Sequence, residues 1–123
     1  MKTTCLILTI LSAVLFPLAL PGDAYSLGNP FLGFICLTPL FIAIILSPTL
    51  VFSSFLGVLF GGLSTFLLHY WLLYYGDYSI WTISGVMLGY MIYHGILAPI
   101  LSTLVRIDRA YRPFVLASGW AVY

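Results

Sequence analysis

The sequence predicts an all-α protein, a polytopic transmembrane helix bundle with four spans and the start of a fifth. Three observations predict it. Of the 123 residues 63% are apolar and only 6% charged, against roughly 25% charged in an ordinary soluble domain, which leaves too little polar surface to cover a water-soluble globule. The few charges fall at Lys2, Asp23, Asp77, Arg106, Asp108, Arg109 and Arg112, and the stretches between them have lengths set by a bilayer core of about 30 Å. Turn-forming residues and aromatic clusters then fall near the ends of those stretches.

The same arithmetic excludes several function classes. So apolar a chain is not intrinsically disordered. A net charge of +1 supplies no basic patch for nucleic acid, which is not an expected partner. The length accommodates a single transmembrane domain over 1–123 and no separate soluble domain.

Span one is expected over residues 5–20. The uncharged stretch 3–22 would be about 30 Å long as a helix, and Pro21 with Gly22 ends it, because proline lacks a backbone donor and glycine leaves the helix freely. Lys2, the apolar run and the small pair Gly22 and Ala24 also satisfy the pattern of a cleavable signal peptide; on either reading residue 25 emerges outside. Span two, residues 31–46, is short, about 24 Å of helix, and Pro39 at its centre predicts a kink or a re-entrant path. Ser47, Pro48 and Thr49 carry the turn chemistry that reverses the chain.

Span three, residues 51–75, is long and tilted, and its outer end is crowded with His69, Tyr70, Trp71, Tyr74 and Tyr75, amphipathic rings suited to the headgroup boundary. Span four, residues 80–105, contains Pro99 and stops at the arginines. Residues 113–123 are again apolar and have about half the length of a span. Counting crossings puts Lys2 and the Arg106 to Arg112 block on one face, with Asp23 and Asp77 on the other. Short basic loops stay inside during insertion, so the amino terminus is expected to be cytoplasmic.

Small residues four apart let helix backbones approach closely, and Gly57 with Gly61 and Gly85 with Gly89 have that spacing. In an antiparallel hairpin of spans three and four, however, Gly95 rather than Gly85 or Gly89 matches the depth of Gly61, about 21 Å below the outer end. His69 and His94 are the two imidazoles, and an ionisable group inside a membrane is a functional candidate. Their depths differ by roughly 12 Å, too much for one metal with ligands at about 2 Å. Each is expected to be a hydrogen-bonded structural histidine or part of a proton relay, with Tyr90, four residues before His94, as a partner. Cys5 and Cys36 read as small hydrophobes. Paired carboxylates, phosphate loops and nucleophile elbows are missing from the sequence, so no catalytic residue, metal site or cofactor is expected.

The order of further cues resembles the amino-terminal membrane region of the apolipoprotein N-acyltransferases. Leu15, Phe16 and Pro17 resemble the close of that family's first segment. Asn29, Pro30, Phe31 and Leu32, followed by Leu37, Thr38, Pro39 and Leu40, are similar to its second. Gly57 to Gly62, then Tyr70, Trp71, Tyr75 and Gly76, resemble its glycine-rich third span and the loop beyond. Arg112, Pro113, Ala117, Ser118 and Trp120 look like entry to a fifth.

The resemblance implies a bacterial inner-membrane scaffold for lipoprotein maturation by acyl transfer from phospholipid. In that family a periplasmic nitrilase-like domain supplies a Glu, Lys and Cys triad, and none of those positions exists in this sequence. The chain is therefore expected to be a fragment, inactive alone, whose partners are membrane phospholipid and, through a missing or separate catalytic domain, a lipoprotein substrate. His69, Tyr70, Trp71, Tyr74 and Tyr75 would contact lipid in the outer leaflet. Two rival classes stay open: a small transporter or channel subunit built around His94, Tyr90 and the prolines, and a structural assembly subunit that docks partners on its glycine faces.

Overall fold

The computed structural model describes residues 1–21, 28–74, 76, 79–107 and 112–122. Asp23, Asp77, Asp108, Arg109 and Tyr75 lie outside the described residues. All regular structure among the described residues is helical: α1 (Lys2–Ala19), α2 (Pro30–Ile35), α3 (Thr38–Leu46), α4 (Leu50–His69), a 3₁₀ turn at Tyr70–Tyr74, α5 (Ser79–Ile107) and α6 (Arg112–Val122).

By length and composition three segments can each cross a membrane: Lys2–Ala19, Leu50–Tyr74 and Ser79–Ile107. Where the sequence predicts a second span there is a shorter apolar segment, Pro30–Leu46, which is not among those three, and it is two helices rather than one kinked at Pro39. The break falls at Cys36 and Leu37, just before Pro39, which takes a place in the first turn of α3. There its missing N–H costs nothing, whereas mid-helix it would leave a carbonyl without a partner. Ser12 of α1 donates its hydroxyl to the Cys36 carbonyl at this break.

Local chemistry explains the other ends. Asn29 caps α2, its Oδ1 accepting from the Phe31 and Leu32 amides at 3.0 and 3.3 Å, with Pro30 next, as helix starts favour. Thr49 caps α4, its Oγ1 accepting from the Phe52 amide at 3.1 Å. Gly28 and Gly76 adopt φ of +64° and +66°, the left-handed region that glycine enters without strain.

Contacts between the helices define two ends of the bundle. At one, the Asn29 amide donates to the Ala19 carbonyl at 3.1 Å, so α2 begins where α1 finishes. At the other, Lys2 lies 5.9 Å from the centre of the Phe52 ring, and Arg106 Nη2 donates to the Ser47 carbonyl at 2.6 Å. Taken together, α2 and α3 therefore run from one end to the other, antiparallel to α1, while α4 runs parallel to α1 and α5 returns beside it. Lys2 and Arg106 share an end. Arg106 is also the cation that covers the carbonyl end of α3, where the helix dipole is negative, and Arg112 Nε does the same for the Val105 carbonyl of α5 at 3.0 Å.

The core lies where α1, α3, α4 and α5 meet. Ala13, Leu40, Ile44, Phe60, Ala98 and Leu101 fill one cluster, and Cys5, Ala43 and Leu56 a smaller one. Cys5 and Cys36 are buried free thiols. Outside this core large apolar side chains are exposed along every long helix, among them Ile7, Phe55, Leu88 and Ile96, the surface a hydrocarbon solvent requires.

Candidate functional site

Among the described residues the α4 and α5 helices pack together most extensively, and small and polar residues let their backbones come close. A Cβ on Gly57 would run into the His94 carbonyl and the Ala98 methyl, and one on Gly61 into the Tyr90 carbonyl. On the facing helix a Cβ on Gly95 would meet Val58. Ser53 and Ser54 donate across the seam to the Ala98 and Gly95 carbonyls at 3.2 and 2.6 Å. Gly57, Gly61 and Gly95 thus lie in the seam, whereas Gly85 and Gly89 would meet nothing within 4 Å.

The register differs from the expected match of Gly61 with Gly95: Gly61 sits against Tyr90 and His94, and Gly95 against Ser54 and Val58. The α-helix stops at His69 instead of running to residue 75, and the 3₁₀ turn Tyr70–Tyr74 folds against α5. The depth of Gly61 is therefore counted from a lower edge.

Above this seam a cavity of about 140 Å³ opens between α1, α4 and α5, lined by Phe16, Ser64, Thr65, His69, Tyr90 and His94 among others. Both histidines bond to the carbonyl four residues before them in their own helix, His69 Nδ1 to Thr65 at 3.1 Å and His94 Nδ1 to Tyr90 at 2.8 Å. The Tyr90 ring stacks with both, 6.5 Å from His69 and 5.8 Å from His94 between centroids. Phe60 and Tyr93 meet the His94 ring edge-on at 5.2 and 5.0 Å. Ser64 spends its hydroxyl on the Phe60 carbonyl at 2.6 Å.

Sequence reasoning picked out both histidines and the pairing of His94 with Tyr90. It missed that all three rings line one cavity, and it missed Phe16, Ser64 and Thr65. The usable signal was the recurrence at four-residue spacing of Thr65 with His69 and of Tyr90 with His94 on two helices expected to be neighbours. Among the described residues no group of three or more His, Cys, Asp or Glu could hold a metal.

The aromatic residues expected to meet lipid are distributed differently. His69 ends α4, half-buried in the cavity wall, and Tyr70, Trp71 and Tyr74 follow on the 3₁₀ turn. Tyr74 is 80% exposed, while Tyr70 and Trp71 are half-buried.

Apolar helices of spanning length, basic residues at one end and a partly polar cavity between helices define a helical membrane protein. Comparison with known proteins narrows the class. The chain is 32% identical over 93 residues to the apolipoprotein N-acyltransferase of Borreliella burgdorferi, covering 76% of this chain and 18% of that protein. It is 35% identical over 81 residues to apolipoprotein N-acyltransferase 1 of Treponema denticola, covering 66% of this chain and 15% of that protein. The chain is thus related to part of the apolipoprotein N-acyltransferases and spans less than a fifth of the length of these two. No family model and no solved structure matches it.

Proposed function

We propose that these residues form membrane-embedded scaffold of an apolipoprotein N-acyltransferase-like protein, serving lipoprotein maturation by acyl transfer from phospholipid. The observation that carries this reading is the identity of 32% and 35% with two proteins of that name over most of the chain. The role proposed is embedding and orientation: four spans and the start of a fifth in a bacterial inner membrane, with the amino terminus cytoplasmic. The shared end of Lys2 and Arg106 supports that sidedness, since both belong on the side that retains basic loops. In the same reading, phospholipid lies against the aromatic outer end, at His69, Tyr70, Trp71, Tyr74 and Tyr75, and a lipoprotein is met through a catalytic domain that these residues would orient.

The test is a chimera in which this chain replaces the matched region of the Treponema denticola relative, produced in cells depleted of their own N-acyltransferase. Mass spectrometry of lipoprotein amino-terminal peptides is expected to find the N-acyl chain restored. A chimera that resists carbonate extraction yet restores nothing would overturn the scaffold role. Trp71→Ala in the working chimera tests the lipid contact, which is abandoned if insertion and turnover are both unchanged. Topology reporters after Lys2 and Arg109 are expected in the same compartment.

A further inference from the structure

Three cations converge on one end of the bundle from distant parts of the chain, and two of them close on the same turn. Arg106 Nη2 donates to the Ser47 carbonyl at 2.6 Å and to the Ser47 hydroxyl at 3.4 Å. Lys2 Nζ stands over the Phe52 ring, 5.9 Å from its centre. Ser47 and Phe52 are five residues apart, a reach of at most about 18 Å even when fully extended. Arg112 joins them, since its Nε donates at 3.0 Å to the carbonyl of Val105, the residue before Arg106. Lys2 and Arg106 are both exposed.

The chemistry of these side chains points to phosphate. The carbonyl contacts engage one nitrogen of each guanidinium, Nη2 of Arg106 and Nε of Arg112. A guanidinium carries N–H donors on its other nitrogens as well, in a planar fork that phosphate oxygens match. Lys2 adds an ammonium whose contact with Phe52 is electrostatic and made through the ring face. By their place in the sequence Arg109 and Asp108 belong to the same end and enter as charges only, which makes four cations against one carboxylate. A single carboxylate offsets at most one of them.

The apolar surroundings choose among phosphates. Beside the cations Val51 is 81% and Ile107 73% exposed, and Leu50 and Phe55 are exposed as well. A free phosphate gains nothing from such neighbours, whereas a phospholipid sets its phosphate directly above hydrocarbon. A zwitterionic lipid brings its own cation to the phosphate, and an anionic one does not. From this we infer that Lys2 and Arg106, on either side of the Ser47–Phe52 turn and with Arg112 beside them, bind the phosphodiester of an anionic phospholipid in the leaflet at that end. Clustered cations next to a membrane attract such lipids. The inference rests on the chain lying in a membrane and is independent of the acyltransferase reading.

The experiment is native mass spectrometry of the full chain, released from detergent after incubation with equimolar phosphatidylglycerol and phosphatidylcholine. Phosphatidylglycerol is expected to be retained in preference. Lys2→Gln is expected to weaken its retention about fivefold, the equivalent of about 1 kcal/mol for one cation beside an anionic leaflet. Should that variant fail to fold, Arg112→Gln reads the same loss. Adding Ile80→Lys to Lys2→Gln restores the net charge at the opposite end of the bundle, and retention is expected to stay weak. Recovery there would show that overall charge, and not this cluster, draws the lipid, and would overturn the site. Equal retention of phosphatidylcholine, displacement of phosphatidylglycerol by inorganic phosphate, or undiminished retention in whichever single variant folds would each overturn it too.

Discussion

Two glycine pairs with the same spacing have opposite surroundings. Gly57 and Gly61 lie against the backbone of α5, while Gly85 and Gly89, on α5 itself, would meet nothing within 4 Å if each gained a Cβ. The cause is angular. At about 100° per residue, Gly85 lies about 180° and Gly89 about 140° around α5 from His94. The buried face of α5 runs through Ile83, His94, Ala98, Leu101 and Val105, and the glycines continue instead into Ile92, Ile96 and Ile100, all exposed. Small-residue spacing records an ability to pack. The face that uses it is marked by the polar residues that need a partner, here Ser53 and Ser54 on α4 and His94 on α5.

The largest expected effect breaks this contrast most directly. Gly57→Leu drives a side chain into the His94 carbonyl, a backbone atom that cannot rotate away, and is expected to cost more than about 3 kcal/mol, the top of the overpacking range. Gly85→Leu is expected to stay within about 0.5 kcal/mol, as exposed substitutions do. SDS-induced unfolding in bicelles, followed by tryptophan fluorescence, measures both. Equal losses would show that a further surface covers Gly85.

A second pair sharpens the role of available space. Gly28 and Gly76 share a left-handed φ, but a Cβ on Gly28 would come within 2.9 Å of the Ala19 oxygen and the Pro21 nitrogen, while one on Gly76 would touch nothing. Gly76→Ala is expected to cost about 1 kcal/mol from backbone conformation alone. Gly28→Ala should cost about 2 to 3 kcal/mol, because the collision adds to it. The same unfolding assay reads the difference between them.

Much of the fold was legible because hydrocarbon imposes lengths that charges and turn residues punctuate. Pro21 and Gly22, the Ser47 to Thr49 turn and Arg106 bracketed the long helices to within a few residues. The second segment was harder. Pro39 announced a disruption, but its position depended on Ser12, 24 residues earlier in the chain, which satisfies the Cys36 carbonyl. The cavity was half legible. His69 and His94 stood out as rare ionisable groups, yet a comparison of axial depths treats helices as rods and omits the side chains between them. Tyr90 spans the interval with its ring. Neither this stacking nor the inward turn of Phe16 has a signature in spacing.

Arg106 and Arg112 test whether long-range or local bonds hold the basic end together. Arg106 bonds to Ser47, 59 positions away, and Arg112 bonds to Val105, seven positions away. Arg106→Gln is expected to cost about 1 kcal/mol, since a charge-assisted bond is worth more than a neutral one but solvent screens part of it. Arg112→Gln should stay within about 0.5 kcal/mol.

A smaller effect than that at Arg106 concerns two hydroxyls, one in the seam and one outside it. Ser54 donates across it to the Gly95 carbonyl at 2.6 Å, and Thr103 donates within α5 to the Pro99 carbonyl at 2.8 Å. Were short distance alone decisive, the two would contribute alike. In a membrane, however, an interhelical bond averages only about 0.6 kcal/mol, because the separated helices find other partners for the same groups. A bond inside one helix survives separation altogether. Ser54→Ala is therefore expected to lower stability by about 0.6 kcal/mol, and Thr103→Ala to leave it unchanged within the assay. A larger loss for Thr103 would mean that α5 itself unwinds on unfolding, so that its internal bonds no longer cancel between the two states.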